Sequence, residues 1–182
     1  MTASTKEERF QAMVLPYLNS AFNLARWLTR SHQDAEDVVQ EAYLRAFKFF
    51  DSFHGQDGRA WLLGIVRNTF YTWYQQNKMQ AQNTQFEEEL HGAHLEDAAD
   101  TRYAGHNPEA LLIQKDNRRK LHQALGGLPV EFREVIVMRE LEYLSYKQIA
   151  GIVGIPIGTV MSRLGRGRKQ LTAILASTNR DA

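Results

Sequence analysis

Ser145-Tyr-Lys-Gln-Ile-Ala-Gly-Ile-Val-Gly-Ile-Pro-Ile-Gly-Thr-Val-Met-Ser-Arg-Leu-Gly-Arg-Gly-Arg-Lys169 reads as two helices joined by a tight turn, the second of them basic. Ile149, Ala150 and Val153 form the apolar side of the first helix, and the small Ala150 lets the second helix cross closely. Gly154 stands where the turn needs a backbone free to adopt positive φ. Pro156 suits a helix start because it has no N–H to leave unpaired. Val160, Leu164 and Leu171 recur at helical spacing and make one core stripe. The other side offers Thr159, Ser162, Arg163, Arg166 and Lys169. Between Ile157 and Leu171 there are four basic residues and no acidic one. A helix of this kind can enter a DNA major groove with its N-terminal turns at the base edges.

The pattern outside this motif is also helical. Apolar residues at Val14, Leu18, Phe22 and Ala25 predict a helix over Phe10–Leu28. Ser31 followed by Asp34 resembles a capping box for a helix over about 34–50, with Val38, Val39, Ala42, Ala46 and Phe50 facing the core. A polar, glycine-bearing loop follows from Asp51 to Gly58. The next helix, about 59–78, buries Leu62, Ile65, Val66, Thr69 and Trp73. Helices near 111–125 and 130–141 precede the helix-turn-helix. Strand alternation is absent, so the expected fold class is all-α.

Charge divides the chain. Residues 1–78 carry 9 basic and 8 acidic residues, residues 79–110 carry 1 and 7, and residues 111–182 carry 12 and 6. The near-neutral total of +1 therefore conceals an acidic middle and a basic end. The middle segment is rich in Gln, Asn, Glu, Asp and His, lacks a helical stripe, and is long for an internal loop. The expected organisation is a small helical domain at 8–78, a flexible acidic linker at 79–110 and a second helical domain at 111–176. The chain has no cysteine, which excludes disulfides and thiolate metal sites and fits the cytoplasm. No 18-residue apolar run suggests a membrane span, and the N-terminus does not read as a signal peptide. His91 and His94, near Glu87–Glu89, lie in the linker, where fixed ligand geometry is not expected, so no metal site is assigned. No phosphate loop, nucleophile motif or carboxylate pair stands out. No cofactor and no enzymatic activity are expected.

Two constellations point to binding. Asp37, Gln40, Glu41 and Leu44 share one helix face, and a leucine among polar and acidic neighbours is a partner-helix signature. Along 59–78, Arg67, Asn68, Tyr71, Tyr74, Gln75 and Lys78 lie away from the apolar stripe. Aromatic rings stack on bases, and amides can bond base edges. The loop Ser52-Phe-His-Gly-Gln-Asp-Gly-Arg59 could form a pocket for an unstacked base. Trp61 and Trp73 read mostly as core aromatics.

Three segments carry a family resemblance. Asp34-Ala-Glu-Asp-Val-Val-Gln-Glu-Ala-Tyr-Leu-Arg-Ala-Phe47 resembles the second conserved region of bacterial sigma factors. Arg59-Ala-Trp-Leu-Leu-Gly-Ile-Val-Arg-Asn-Thr-Phe70 resembles the promoter-melting segment. Leu125-Gly-Gly-Leu-Pro-Val-Glu-Phe-Arg-Glu-Val-Ile-Val-Met-Arg139, with the helix-turn-helix, resembles the fourth region. Their order is that of the extracytoplasmic-function (ECF) subfamily, and the resemblance covers nearly all the chain outside the linker.

The resemblance implies roles. Asp37, Gln40, Glu41 and Leu44 would dock on the β′ clamp helices of core RNA polymerase, with further contact to its β subunit. Phe53, His54, Arg59, Arg67, Asn68, Tyr71, Tyr74 and Lys78 would serve the −10 element of promoter DNA. Thr159, Ser162, Arg163, Arg166 and Lys169 would serve the −35 element. The linker would run along the RNA-exit path. An anti-sigma factor would hold the chain inactive, and the free chain would be a monomer. The short tail after Leu175 suggests regulation from outside the chain. The chain departs from the family at Thr72-Trp-Tyr-Gln-Gln-Asn-Lys78, where an arginine-rich run is usual, and at Met161, where lysine is frequent. Fewer cations reduce phosphate attraction and its salt dependence. Gly165 and Gly167 are expected to weaken the last helix by up to about 1 kcal/mol each. Two other readings stand beside this one: a sigma-like decoy that sequesters an anti-sigma factor, and a dimeric helix-turn-helix regulator on a palindrome. The basic recognition helix argues against the first, and the Asp37–Leu44 face against the second.

Overall fold

The computed structural model describes residues 5–83 and 108–178, and every regular element among them is helical. α1 (Lys6–Val14) leads through a 3₁₀ turn (Leu15–Tyr17) into α2 (Leu18–Thr29), followed by α3 (His32–Phe49) and α4 (Gly58–Asn83). The second unit holds α5 (Pro108–Gly126), α6 (Val130–Ile136), a π-helical turn (Val137–Leu141), α7 (Tyr146–Val153) and α8 (Ile157–Thr178).

The single helix expected over Phe10–Leu28 is two helices. Pro16 cannot donate a backbone hydrogen bond, and its ring disfavours the preceding turn, so the chain re-enters helix at Leu18 with a new phase. Ala21, Leu24, Ala25 and Leu28 are buried, and Leu18, expected in the stripe, is exposed. α3 follows its expected phase: Val38, Val39, Ala42, Ala46 and Phe50 are all buried. Its N-cap is Ser31, whose hydroxyl accepts from the Asp34 N–H at 3.3 Å. α2, α3 and α4 pack on one another, and α4 contributes Leu62, Leu63, Val66 and Phe70 to the core. α1 is anchored by Phe10, whose ring meets Phe47 and Phe50 edge-on at 5.2 and 5.3 Å.

In the second unit α6, α7 and α8 enclose Val135, Met138, Leu144, Ile149, Val160 and Leu164. Ser145 and Gln148 form a reciprocal capping box at the start of α7. Gly154 ends α7 at φ +75, and its N–H donates to the Ala150 carbonyl at 2.9 Å. The turn is therefore built as the motif requires. Gly167 has a packing reason: a Cβ there would lie 2.8 Å from Ile136 Cδ1 and 3.2 Å from Phe132 Cβ, so its smallness lets α6 approach α8. Gly165 faces open space.

The two units are packed together, and their buried apolar side chains form one continuous cluster. α2 touches α6, α4 touches α7, and the Trp27 ring stacks on His122 at 4.0 Å. Most of the acidic segment, His91 and His94 included, lies outside the described residues; α4 runs on to Asn83 and α5 begins at Pro108. No helix among the described residues is long and apolar enough to cross a membrane.

Candidate nucleic-acid interface

The structure divides the candidate residues among three places. The first is the outer face of α3. Asp37, Gln40, Glu41 and Leu44 are all exposed there, at successive turns, and Leu44 keeps 63% of its surface in solvent. Glu41 accepts from Arg45 Nε at 2.8 Å. Beside Gln40 a cleft of about 380 Å³ opens between α2 and α3, lined by Leu18, Phe22, Val39 and Tyr43. Burial there raises the Tyr43 hydroxyl above its ordinary pKa.

The second place is the loop before α4 and the face of that helix. Phe53 stacks on Trp61 with centroids 4.5 Å apart, which fixes the loop against the helix. With Met13 and Tyr17, Phe53, His54 and Gln56 bound a cleft of about 580 Å³, large enough for a nucleobase. Asp57 caps α4: its Oδ1 accepts from the Ala60 N–H at 2.9 Å, and Oδ2 accepts from Gln148 Nε2 at 2.8 Å. The bond from the Ala60 N–H, then that from Gln148, holds the Asp57 carboxyl below its usual range. Asn68, Tyr74 and Lys78 are exposed along α4.

Arg59, Arg67 and Tyr71 do not lie open, although Arg67 and Tyr71 were expected to by their place away from the apolar stripe. They face the second unit. Arg67 makes a bidentate pair with Glu134, Nε to Oε2 at 2.7 Å and Nη2 to Oε1 at 3.1 Å. The Tyr71 hydroxyl donates to Glu134 Oε2 at 3.2 Å, and the Arg67 guanidinium sits 4.6 Å from the Tyr71 ring centroid. Arg59 Nη2 donates to Glu142 Oε2 at 2.6 Å and to the Glu142 carbonyl at 2.8 Å. Burial first, then the neighbouring Glu134 carboxylate, pushes the Tyr71 hydroxyl up to about 12. Burial alone would lower Arg67, but the bond to Glu134 and its charge outweigh it and leave the guanidinium raised.

The third place is α8. Val160 and Leu164 are buried, while Ser162, Arg166 and Lys169 are exposed and Thr159 is half-buried. Ser162 Oγ donates to the Thr159 carbonyl at 3.1 Å. Arg163, expected at the DNA face, turns inward, with Nη1 3.8 Å from Glu134 Oε1. Arg168 pairs with Glu140. The open cations of this helix face are therefore Arg166 and Lys169. Glu134 and Glu142, which gather the inward arginines, were missed from the sequence. Both stand among other charges, Glu131 and Arg133 beside the one, Arg139 and Glu140 beside the other, and nothing local marks either as the partner of an arginine far away in the chain.

The chain matches the family model for Sigma-70 region 2 over residues 13–79 and that for Sigma-70 region 4 over residues 118–171. It is 30% identical over 166 residues to the ECF RNA polymerase sigma-E factor of Escherichia coli (strain K12), covering 91% of this chain and 85% of that protein. It is 31% identical over 167 residues to the ECF RNA polymerase sigma factor SigE of Mycolicibacterium smegmatis, covering 90% of this chain but 60% of the relative. Among solved structures it resembles the sigma factor RpoE from Bartonella quintana, solved with the anti-sigma factor NepR. That likeness has a TM-score of 0.73 at 28% identity, over 92% of this chain and 97% of that one. A helical core whose α2, α3 and α4 fall in the region 2 match and whose α6, α7 and α8 fall in the region 4 match, together with these similarities, places the chain in the family of ECF RNA polymerase sigma factors.

Proposed function

We propose that this chain binds core RNA polymerase through the Asp37, Gln40, Glu41 and Leu44 face of α3 and directs initiation by reading two promoter elements. α8 reads the −35 element with Ser162, Arg166 and Lys169 at its surface, joined by Thr159 and Arg163 once DNA is present. The loop at Phe53 and His54, with Asn68, Tyr74 and Lys78 on α4, captures unstacked bases of the −10 element, and Arg59, Arg67 and Tyr71 join it when their own partners release them. Melting by base capture uses binding energy alone and needs no covalent chemistry. Such work belongs in the cytoplasm. An anti-sigma factor is the natural inhibitor, a reading supported by the likeness to the B. quintana sigma factor solved with NepR.

The observation that carries the −35 assignment is the sidedness of α8. Val160 and Leu164 are sealed in the core, while Arg166 and Lys169 stand in solvent on the other side. Arg166→Ala tests it in reconstituted holoenzyme. A lost base or phosphate contact is worth about 1–3 kcal/mol, so discrimination among promoters should fall about tenfold. Affinity for core polymerase should stay within about twofold. An equal fall in both would make α8 a structural helix.

A further inference from the structure

α8 carries an exposed apolar pair at its N-terminal end. Ile157 and Met161 stand one helical turn apart and keep 45% and 53% of their surfaces in solvent. On a helix surface the neighbours of a residue are three and four positions away. For Met161 these are Ile157, Gly158, the buried Leu164 and Gly165. A Cβ on either glycine would meet nothing within 4 Å, so Met161 rises from open surface, with Ile157 as its one exposed side-chain neighbour at that spacing. At about 100° per residue, the two glycines lie between Met161 on one edge of the face and Ser162 and Arg166 on the other. Arg163 brings no charge to the Met161 edge, because it is drawn into the seam between the two units, with Nη1 3.8 Å from Glu134 Oε1. The face is therefore divided, with hydrogen-bond donors on one edge and hydrocarbon and thioether on the other.

A major groove presents donors and acceptors at every base pair, and one apolar group, the C5 methyl of thymine. A helix laid there with its N-terminal turns at the base edges takes side chains of those turns out of water. Against a polar base edge, Ile157 and Met161 would strip its donors and acceptors of water and offer no bond in return. Against a thymine methyl, both partners lose apolar surface to one another. Methionine suits such a contact, because its unbranched, polarizable thioether adapts to the place where the groove sets the methyl.

We propose that Ile157 and Met161 read thymine in the −35 element through its C5 methyl, so that promoter choice by this chain is set by apolar contact as well as by the donors of Ser162 and Arg166. This rests on the assignment of α8 to the −35 element. Four residues of helix rise about 6 Å, and bases on one strand follow one another about every 3.4 Å, so the two thymines lie within about two positions of each other. Burial of one methyl group is worth about fourfold in an equilibrium constant, so each thymine is favoured about fourfold over the same base without its methyl.

The test removes that methyl and nothing else. Holoenzyme made from the full chain and core RNA polymerase is offered a random-sequence duplex pool, amplified once with thymidine triphosphate and once with deoxyuridine triphosphate. Uracil pairs as thymine does and lacks only the C5 methyl. In the thymine pool the holoenzyme should enrich an upstream element with thymine favoured about fourfold at two nearby positions. In the uracil pool uracil should not be favoured there. Met161→Ala should lose the preference at one of the two positions and Ile157→Ala at the other, while the bases that depend on Arg166 stay chosen. Both residues are exposed, so the urea unfolding curves of the variants should match the parent, and their affinity for core polymerase should stay within about twofold. No thymine preference in the parent, or one that survives in the uracil pool or in both alanine variants, would overturn the methyl reading and leave α8 as the reader of the element. A larger fall in polymerase affinity for Met161→Ala would also overturn it, by giving the residue to the polymerase. Enrichment of no upstream element, or of one that Arg166→Ala leaves intact, would overturn the −35 assignment and this inference with it.

Discussion

Leu44→Ala should weaken docking on core RNA polymerase without touching the fold. Leu44 projects from the centre of the α3 face, and 63% of its surface is in water. Full burial of a leucine side chain is worth about 1.5–3 kcal/mol, so covering the exposed fraction at an interface supplies about 1–2 kcal/mol. Truncation to alanine forfeits most of that, which corresponds to a Kd roughly 5- to 30-fold weaker. Asp37 lies two turns away on the same face and is also exposed. Asp37→Lys replaces a rim charge, so its effect should fall on the association rate and grow at low salt. At about 10 Å of helix rise the two effects should add to within about 0.5 kcal/mol. Neither residue supports the core, and unfolding free energy should change by less than about 0.5 kcal/mol for each. The assay is fluorescence anisotropy of labelled chain titrated with core polymerase, run beside urea unfolding of the same samples. Gln11→Ala, exposed on α1, serves as the control. Polymerase affinity within about twofold of the parent for Leu44→Ala, with an unchanged unfolding curve, would refute the docking face.

The remaining predictions concern α8 and the seam. Gly165→Ala should stabilise the chain by about 0.5–1 kcal/mol in urea, because its new methyl meets nothing within 4 Å and the helix gains propensity. Gly167→Ala should not, since its Cβ would press on Ile136 Cδ1 at 2.8 Å; equal gains at the two positions would contradict the packing of α6 on α8. Tyr71 titrates at about 12 in the folded chain and near 10 when unfolded. Its raised value favours the protonated folded form, so this contribution is complete below pH 10 and is lost as pH rises from 10 to 12. Thermal unfolding across that window should show the decline, and Tyr71→Phe should remove its share together with one late-titrating tyrosine at 295 nm.

How far these features could be read from the sequence depends on how local their causes are. The α3 stripe of Val38, Val39, Ala42, Ala46 and Phe50 was legible because a 3.6-residue period is written in the residues themselves. Gly154 was legible because the turn between the two helices of the motif needs a residue at positive φ, which glycine adopts without strain. The break before α2 was legible in principle from Pro16, but the apolar spacing from Val14 to Leu18 continues across the proline and hides the change of phase. The Ser145–Gln148 capping box has a sequence signature, Ser-x-x-Gln, that went unread. Gly167 looked like a weak point in a helix, and its reason lies in α6, thirty residues earlier. The exposed members of the candidate set (Asp37, Leu44, Asn68, Ser162, Arg166) follow from helix phase alone. The inward turn of Arg59, Arg67 and Arg163 does not, because it depends on the packing of one unit against the other. No period or motif carries that packing.

Reconstitution with bacterial core RNA polymerase, followed by transcription from a pool of genomic fragments, tests the central claim most directly. The account predicts initiation from fragments that share two spaced elements, with loss of initiation when Leu44→Ala and Asp37→Lys are combined. A well-folded chain that binds core polymerase no better than the double variant, and starts no transcript, would contradict it.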